Sequence, residues 1–295
     1  MRVVAGVFVG CVALVLTGCG GSDEPQRPDL RFDIVASAYP LAWMADELTP
    51  PPAPPPIVRD DLPVAPVETH VANLTPPGVE PHDLELSPSD VELIREAGLV
   101  IYVGGGFQPA VEDAVEERTR RSLDVLEEDD TDPHVWLDPA RFAGIVRELR
   151  SSLGHSASAR ELEVALLALD REFAVGLTDC ERRVFVTTHA AFGRLAARYG
   201  LTELSLSGVS PEAEPSPREL EELIADVRDS GATTIFTEPL VSDAIARTVA
   251  READLEIATL DPVESLSQER LDAGEDYLSV MRANLAALRE ALGCR

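Results

Sequence analysis

No lysine occurs anywhere in the chain: its 25 basic residues are all arginine, set against 53 acidic ones for a net charge of −28. The arginine-only usage is read as genomic base composition rather than function. The charge excludes nucleic acid as a partner, because such a surface repels a phosphate backbone. It is compatible with a cationic ligand, although acidic surface is usually just a solvated face. Histidine and cysteine are scarce, at five and four in 295 residues, so few side chains can hold a borderline-soft metal. No apolar run is long enough to cross a bilayer. Val3–Gly18 falls short of the roughly 20 residues a spanning helix needs, and Gly6 and Gly10 interrupt it. Walker and G-x-G-x-x-G patterns are also missing, so the triplet Gly104–Gly106 reads as a tight turn rather than a phosphate cradle.

What the short apolar run does match is a secretory signal peptide. Arg2 supplies a positive start, Val3–Leu16 the apolar core, and small residues precede the cut. Its end, Leu16-Thr-Gly-Cys19, looks like a lipobox, in which Cys19 becomes the lipid-modified first residue. Residues 1–18 are therefore expected to be the leader and residues 19–31 a flexible tether. This places the domain outside the cytoplasm, in the cell envelope and anchored to the membrane by lipid. Cys11 leaves with the leader, so only Cys180 and Cys294 remain free, in a compartment where disulfides persist. Each lies at the end of an element with one possible partner in the chain. A Cys180–Cys294 bridge is expected, with two buried free thiols as the alternative.

The rest of the chain alternates strand and helix. "FDIVAS" leads into a helix from Leu41, and the Pro50–Pro66 segment, which cannot be helix or central strand, is read as an exposed loop, partly polyproline II. "SPSDVELIREAG" has Ser87 as N-cap, Pro88 at the first helical position and Gly98 as stop. "LVIYV" reads as a buried parallel strand, "QPAVEDAVEERTRR" as a helix, and Asp138-Pro139 opens another. Ser156–Leu177 reads as one long helix with no strand before it. A second series follows, with "RVFVTTH", "TTIFTEP" and "LEIATLDP" as strands. The expected fold class is α/β: two lobes with parallel sheets flanked by helices, residues 32–155 and 179–295. One long rigid helix, residues 156–178, joins them, and the cleft holds the site.

Three histidines fall where a strand hands over to a helix: His82 in "VEPHDL", His134 in "DPHVWLDP" and His189 at the end of "RVFVTTH". Asp261 in "TLDP" stands in the same kind of place. Ligands of open α/β sheets bind there, outside the carboxyl ends of the strands. Three imidazoles and one carboxylate make a full donor set for a zinc-type ion, whereas Ca²⁺ or Mg²⁺ would take oxygen ligands. Pro81 and Pro133 stiffen the backbone before two of the rings, and Glu80, Asp83 and Asp132 are available to orient them. Any one of these residues alone reads more simply as a cap or surface group; the joint pattern carries the expectation. His70 and His155 are left outside it. Imidazoles bind metal when neutral, so binding is expected to weaken as pH falls through about 6.

Five ordered motifs, "NLTPPGVEPHDLELSPSD", "LVIYVGGGFQPAVEDAV", "DPHVWLDP", "THAAFGRLAARYGL" and "TLDP", resemble the solute-binding lipoproteins of zinc and manganese ABC importers, the ZnuA/TroA-like cluster. The resemblance covers nearly the whole mature chain. It implies two lobes on one long helix and a single metal held by His82, His134, His189 and Asp261. It also implies a monomeric, lipid-anchored protein that captures Zn²⁺ and delivers it to a permease and its ATPase subunit, with no catalysis. Manganese-type members usually place a carboxylate where this chain has His189, so the match favours Zn²⁺ over Mn²⁺. Two features depart from the family: the acidic stretch Glu127–Asp132 contains no histidine, and Pro50–Pro66 is longer than the usual connection.

Two other classes compete with this reading. An extracytoplasmic zinc hydrolase needs an open metal position and a general base, for which Glu238 in "FTEP" is the candidate. Four ligands and the lack of an HExxH motif count against it. An adhesin-like lipoprotein with a structural metal would have that metal inseparable from its folding.

Overall fold

The computed structural model describes residues 34–49, 69–127, 130–153, 156–209 and 216–295. The leader, the tether with Cys19, the Pro50–Pro66 segment and His155 lie outside the described residues.

Two sheets of four parallel strands organise the chain. The first holds β1 (Ile34–Ala36), β2 (Val71–Asn73), β3 (Leu99–Tyr102) and β4 (Arg121–Asp124) in the order β2-β1-β3-β4. The second holds β5 (Val184–Thr187), β6 (Thr202–Ser205), β7 (Thr234–Thr237) and β8 (Glu256–Thr259) in the order β6-β5-β7-β8. The plan is thus the same twice: an inner strand, a step to one side, then a crossover to the other. Such a reversal of direction opens a crevice at the carboxyl ends of the strands, where ligands bind.

The helices are α1 (Tyr39–Leu48), α2 (Pro88–Glu96), α3 (Pro109–Glu116), α4 (Pro139–Leu153), α5 (Ser156–Gly176), α6 (Gly193–Tyr199), α7 (Pro217–Ser230), α8 (Ala244–Ala253), α9 (Gln268–Asp272) and α10 (Tyr277–Leu292). Their starts follow local chemistry. Ser87 Oγ accepts from Asp90 N at 3.3 Å while Asp90 Oδ2 accepts from Ser87 N at 2.8 Å, a reciprocal cap for α2. Ser216 and Glu219 do the same for α7. Asp138 Oδ1 accepts from Ala140 N and Arg141 N at the start of α4.

Strand side chains alternate between two buried faces. Ile34, Ala36, Leu99 and Ile101 enter one core, while Val35 and Val100 meet Ile94 and Val111 of α2 and α3 on the other side. The second sheet repeats this, with Phe185 and Phe236 on one face and Val186 and Ile235 on the other, against Val227 of α7 and Val249 of α8. Burial on both faces explains why these strands read as continuous apolar runs. The larger core does not stop between the halves. It runs from Ile34 and Phe142 through Leu166 and Phe173 of α5 to Phe185 and Leu288. Accordingly α5 packs on α1 and α4 and also on α10.

One sequence expectation changes here. The segment "QPAVEDAVEERTRR" is not helical throughout: α3 stops at Glu116, and Arg121–Asp124 pairs with β3 as an edge strand. Arg118 helps to turn the chain, donating to Ala97 O and Arg121 O at 2.6 Å each. Cys180 and Cys294 are joined, with S–S 1.98 Å, and their backbones form an isolated antiparallel bridge. The end of α10 is thereby fastened beside the entrance to β5. No helix among the described residues is long and apolar enough to cross a membrane.

Candidate metal centre

Four side chains converge at the strand ends. His82, His134, His189 and Glu264 each offer one ligand atom, and these atoms all lie within 4.8 Å of one another. Glu264 Oε1 is the hub, 2.8 Å from His134 Nε2 and 3.5 Å from both His82 Nε2 and His189 Nε2. His134, His189 and Glu264 are buried, and His82 nearly so. His82 Nε2, His189 Nε2 and Glu264 Oε2 have no hydrogen-bond partner among the described residues. Buried polar atoms normally have one. This donor set, three nitrogens and a carboxylate, is the kind that Zn²⁺ takes.

Each ring is oriented from behind. His82 sits in the 3-10 turn Pro81–Asp83 after β2. Gln108 Nε2 donates to Pro81 O at 3.2 Å, and the Phe107 ring meets the imidazole edge-on at 4.5 Å between centroids. Asp132 Oδ1 accepts from both His134 N at 3.0 Å and His134 Nδ1 at 2.8 Å, leaving Nε2 to face the centre. His189 Nδ1 lies 2.7 Å from Glu238 Oε2, and the Thr188 hydroxyl also donates to Glu238. Glu238 therefore backs the His189 ring at Nδ1 while Nε2 faces Glu264. Carboxylates behind metal-binding imidazoles raise ligand basicity and fix which nitrogen faces the ion.

The electrostatics follow from this nest. Burial disfavours charge on His134, but Asp132 and Glu264 outweigh it and raise its pKa. Burial likewise opposes charge on His189, yet Glu238 and Glu264 push it up to about 10. Burial also works against ionising Glu264, and the imidazoles of His134, His189 and His82 hold it well below the usual carboxylate range nonetheless. Glu80 goes the other way: burial first, then the neighbouring Glu264 carboxylate, raise it to about 9. Without a cation, protons on His134 and His189 balance Glu264. A divalent ion bound there would replace those protons.

The structure does not bring Asp261 into this cluster. Its Oδ2 is taken by Arg270 Nη1 at 2.6 Å, and its Oδ1 accepts from Val263 N at 2.7 Å. Both oxygens are thus engaged in shaping the loop after β8. Val263 adopts φ 59°, a left-handed conformation rare for a β-branched residue. The turn so made carries Glu264, three residues beyond Asp261, to the hub. Sequence reasoning missed Glu264 because Asp261 stands directly at the strand end. The loop also ties the two halves together: Gly78 N donates to Leu266 O and Ser265 Oγ at 3.0 Å, and Trp136 Nε1 donates to Pro262 O at 2.7 Å.

Other residues singled out in the sequence are accounted for elsewhere. His70 is exposed at the entrance to β2, where its carbonyl accepts from Ile34 N at 3.1 Å. In the glycine triplet, Gly104 N donates to Asp124 Oδ1 and Gly106 N to Glu112 Oε1, both at 2.9 Å, so carboxylates already occupy the donors a phosphate would need. A Cβ on Gly104 would lie 2.1 Å from Asp124 Oδ2, which explains the glycine there.

Comparisons with known proteins agree with these features. The family described as zinc-uptake complex component A, periplasmic (ZnuA), matches residues 34–291. Zinc-binding protein AdcA of Streptococcus pyogenes is 32% identical over 262 residues, covering 74% of this chain and 51% of that protein. The chain thus spans about half the length of such curated relatives. The high-affinity zinc uptake system protein ZnuA of Bacillus subtilis is 27% identical, over 98% of this chain and 97% of its own length. Among solved structures, the Zn(II)-bound ZnuA-like domain of Streptococcus pneumoniae AdcA is similar at TM-score 0.70 and 31% identity, covering 89% of this chain and 99% of that one. Laminin-binding protein Lmb of Streptococcus agalactiae, described as bifunctional with adhesin and metal transporting activity, gives TM-score 0.72 and 30% identity over 88% and 98% of the two chains.

Proposed function

Because the chain belongs to the ZnuA family of zinc-uptake proteins, we propose that it captures one Zn²⁺ ion outside the cytoplasm and delivers it to an ABC-type importer in the membrane. Zinc is its cargo, and the protein binds and releases without catalysing a reaction. The observation that carries this reading is the hub: three imidazole nitrogens around one oxygen of Glu264, buried, two of them without a hydrogen-bond partner among the described residues. His82, His134, His189 and Glu264 would hold the ion, in place of the set that included Asp261. His82 is the ligand with most exposure, at 8% of its side chain, so exchange with solvent passes along its edge of the site.

The ligands come from both sheets: His82 and His134 follow β2 and β4, while His189 and Glu264 follow β5 and β8. Residues 32–155 and 179–295 act as two lobes on the helix between them, with Cys19 as the lipid attachment and the permease with its ATPase as partners. Elemental analysis and zinc titration of the purified, chelator-stripped protein test the central claim. One zinc per chain, with Mn²⁺ a weak competitor, is expected. Sub-stoichiometric zinc, or titration unchanged in His134→Ala, would refute it. Labelling with a fatty acid that disappears in Cys19→Ser tests the anchor separately.

A further inference from the structure

The connection from β5 to α6 carries His189, and Arg194, five residues later, is the second residue of α6. The Arg194 side chain crosses to the segment that bears His134. Its Nε donates to Asp132 O at 2.8 Å and its Nη2 donates to the same carbonyl, while Nη2 also lies 2.8 Å from Asp130 Oδ2. The side chain is 16% exposed. Asp132 is the residue whose carboxylate fixes His134 through both its backbone N–H and its ring Nδ1. Gly193 lets α6 come this close, since a Cβ there would sit 3.2 Å from Asp132 Oδ2.

We infer that Arg194 is a positioning residue for the cation, acting through Asp132 and His134 to set how long zinc stays bound. The inference rests on the zinc-site reading above. One short stretch of the second half, the end of the β5–α6 connection and the first turn of α6, holds its own imidazole and grips the backbone behind an imidazole of the first half. The registration of His134 against His189, whose ring centroids are 5.5 Å apart, is therefore built in before an ion arrives. Releasing the ion by parting those rings requires Arg194 to let go of Asp132. A planar guanidinium with parallel donors defines the position of a carbonyl in a way a single ammonium cannot. Loss of Asp132, the partner one step behind His134, would typically cost about 10–100-fold in affinity, and loss of the guanidinium behind Asp132 is expected to cost no more than that.

The test compares three variants with the wild type by stopped-flow transfer of zinc to a chelator, alongside the visible spectrum of the Co²⁺-loaded protein. Arg194→Met is expected to release zinc faster, by up to about 10–100-fold, and to alter the Co²⁺ bands, with Arg194→Lys intermediate. Arg183→Met is the control. Arg183 grips the far end of α6, donating to Tyr199 O at 2.7 Å and to Leu177 O at 2.6 Å, so its loss lowers stability without touching Asp132. Its zinc release and Co²⁺ spectrum should match the wild type. Unchanged release in Arg194→Met, or equal acceleration in Arg183→Met, overturns the inference and leaves the zinc site standing. A wild type that takes up no zinc instead fails the underlying reading. Should Arg194→Met not fold, Arg194→Lys alone decides, by accelerated release against wild-type release.

Discussion

Arg270 holds Asp261: Nη1 donates to Asp261 Oδ2 at 2.6 Å, and Asp261 Oδ1 is left to accept from Val263 N. This pairing separates two carboxylates three residues apart into one that shapes the loop and one that faces the imidazoles. Glu264→Gln is therefore expected to weaken zinc binding by more than the 10–100-fold typical of residues behind the ligands, and Asp261→Asn by no more than that. Competition against a chelating dye measures both. Equal losses would mean the two carboxylates share the ligand role.

Alanine at His82, His134 or His189 removes a nitrogen from the hub, and each should lower affinity more than about 100-fold, beyond the loss typical of groups behind the ligands. Alanine at exposed His70 should leave it nearly unchanged. A His70 effect as large as the others would dissolve the proposed cluster.

The pH dependence should lie higher than ordinary imidazoles suggest. Raised pKa values for His134 and, at about 10, His189 mean that the ion-free site holds protons at neutral pH. Zinc must displace them, and a reaction that releases protons is favoured as pH rises. Apparent affinity should thus climb from neutral pH towards about 10 rather than level off just above 6. Calorimetry at pH ~7.5 in buffers of different ionisation enthalpy counts the protons released. A count of zero contradicts the electrostatics.

At Val263 the usual order of glycine and alanine should invert. A non-glycine residue in the left-handed region costs about 1–2 kcal/mol, which alanine retains and glycine does not. Both substitutions empty the same buried site, because Val263 is fully buried. Denaturant unfolding of the ion-free protein should find Val263→Gly less destabilised than Val263→Ala by about 1 kcal/mol, although elsewhere glycine is usually the worse of the two. The ordinary ranking would show that the turn relaxes.

Reducing the Cys180–Cys294 bond should lower the melting temperature and leave zinc binding almost intact, because neither cysteine belongs to the hub. The bridge spans 114 residues, and chain entropy gives a loop of that order up to about 4.7 kcal/mol. Two titratable thiols in the unreduced protein would show that the bond does not form.

Much of this was legible in the sequence, for identifiable reasons. Ser87-Pro88 and Ser216-Pro217 announce their helices through short-range hydrogen bonding, and the inner strands announce themselves by apolar runs. The edge strands β4 and β6 escape notice because one face of each is too polar to mark them. The three histidines are visible because a strand end followed by a helix is a local pattern. Glu264 is not, since its placement depends on a valine in an unexpected backbone region and on Arg270, which becomes a neighbour of Asp261 only once α9 has packed.

The apolar core that runs unbroken from Ile34 to Leu288 has a mechanical consequence. Swinging the two sheets apart like shells would wet that core. At about 25 cal/mol per Å², exposing some 400 Å² costs roughly 10 kcal/mol, comparable with the whole stability of a typical domain. A resting protein cannot gape that far by thermal motion. On the proposed reading, zinc comes and goes through rearrangement of the rim beside His82, the most exposed of the four candidate ligands, while the floor beneath stays shut.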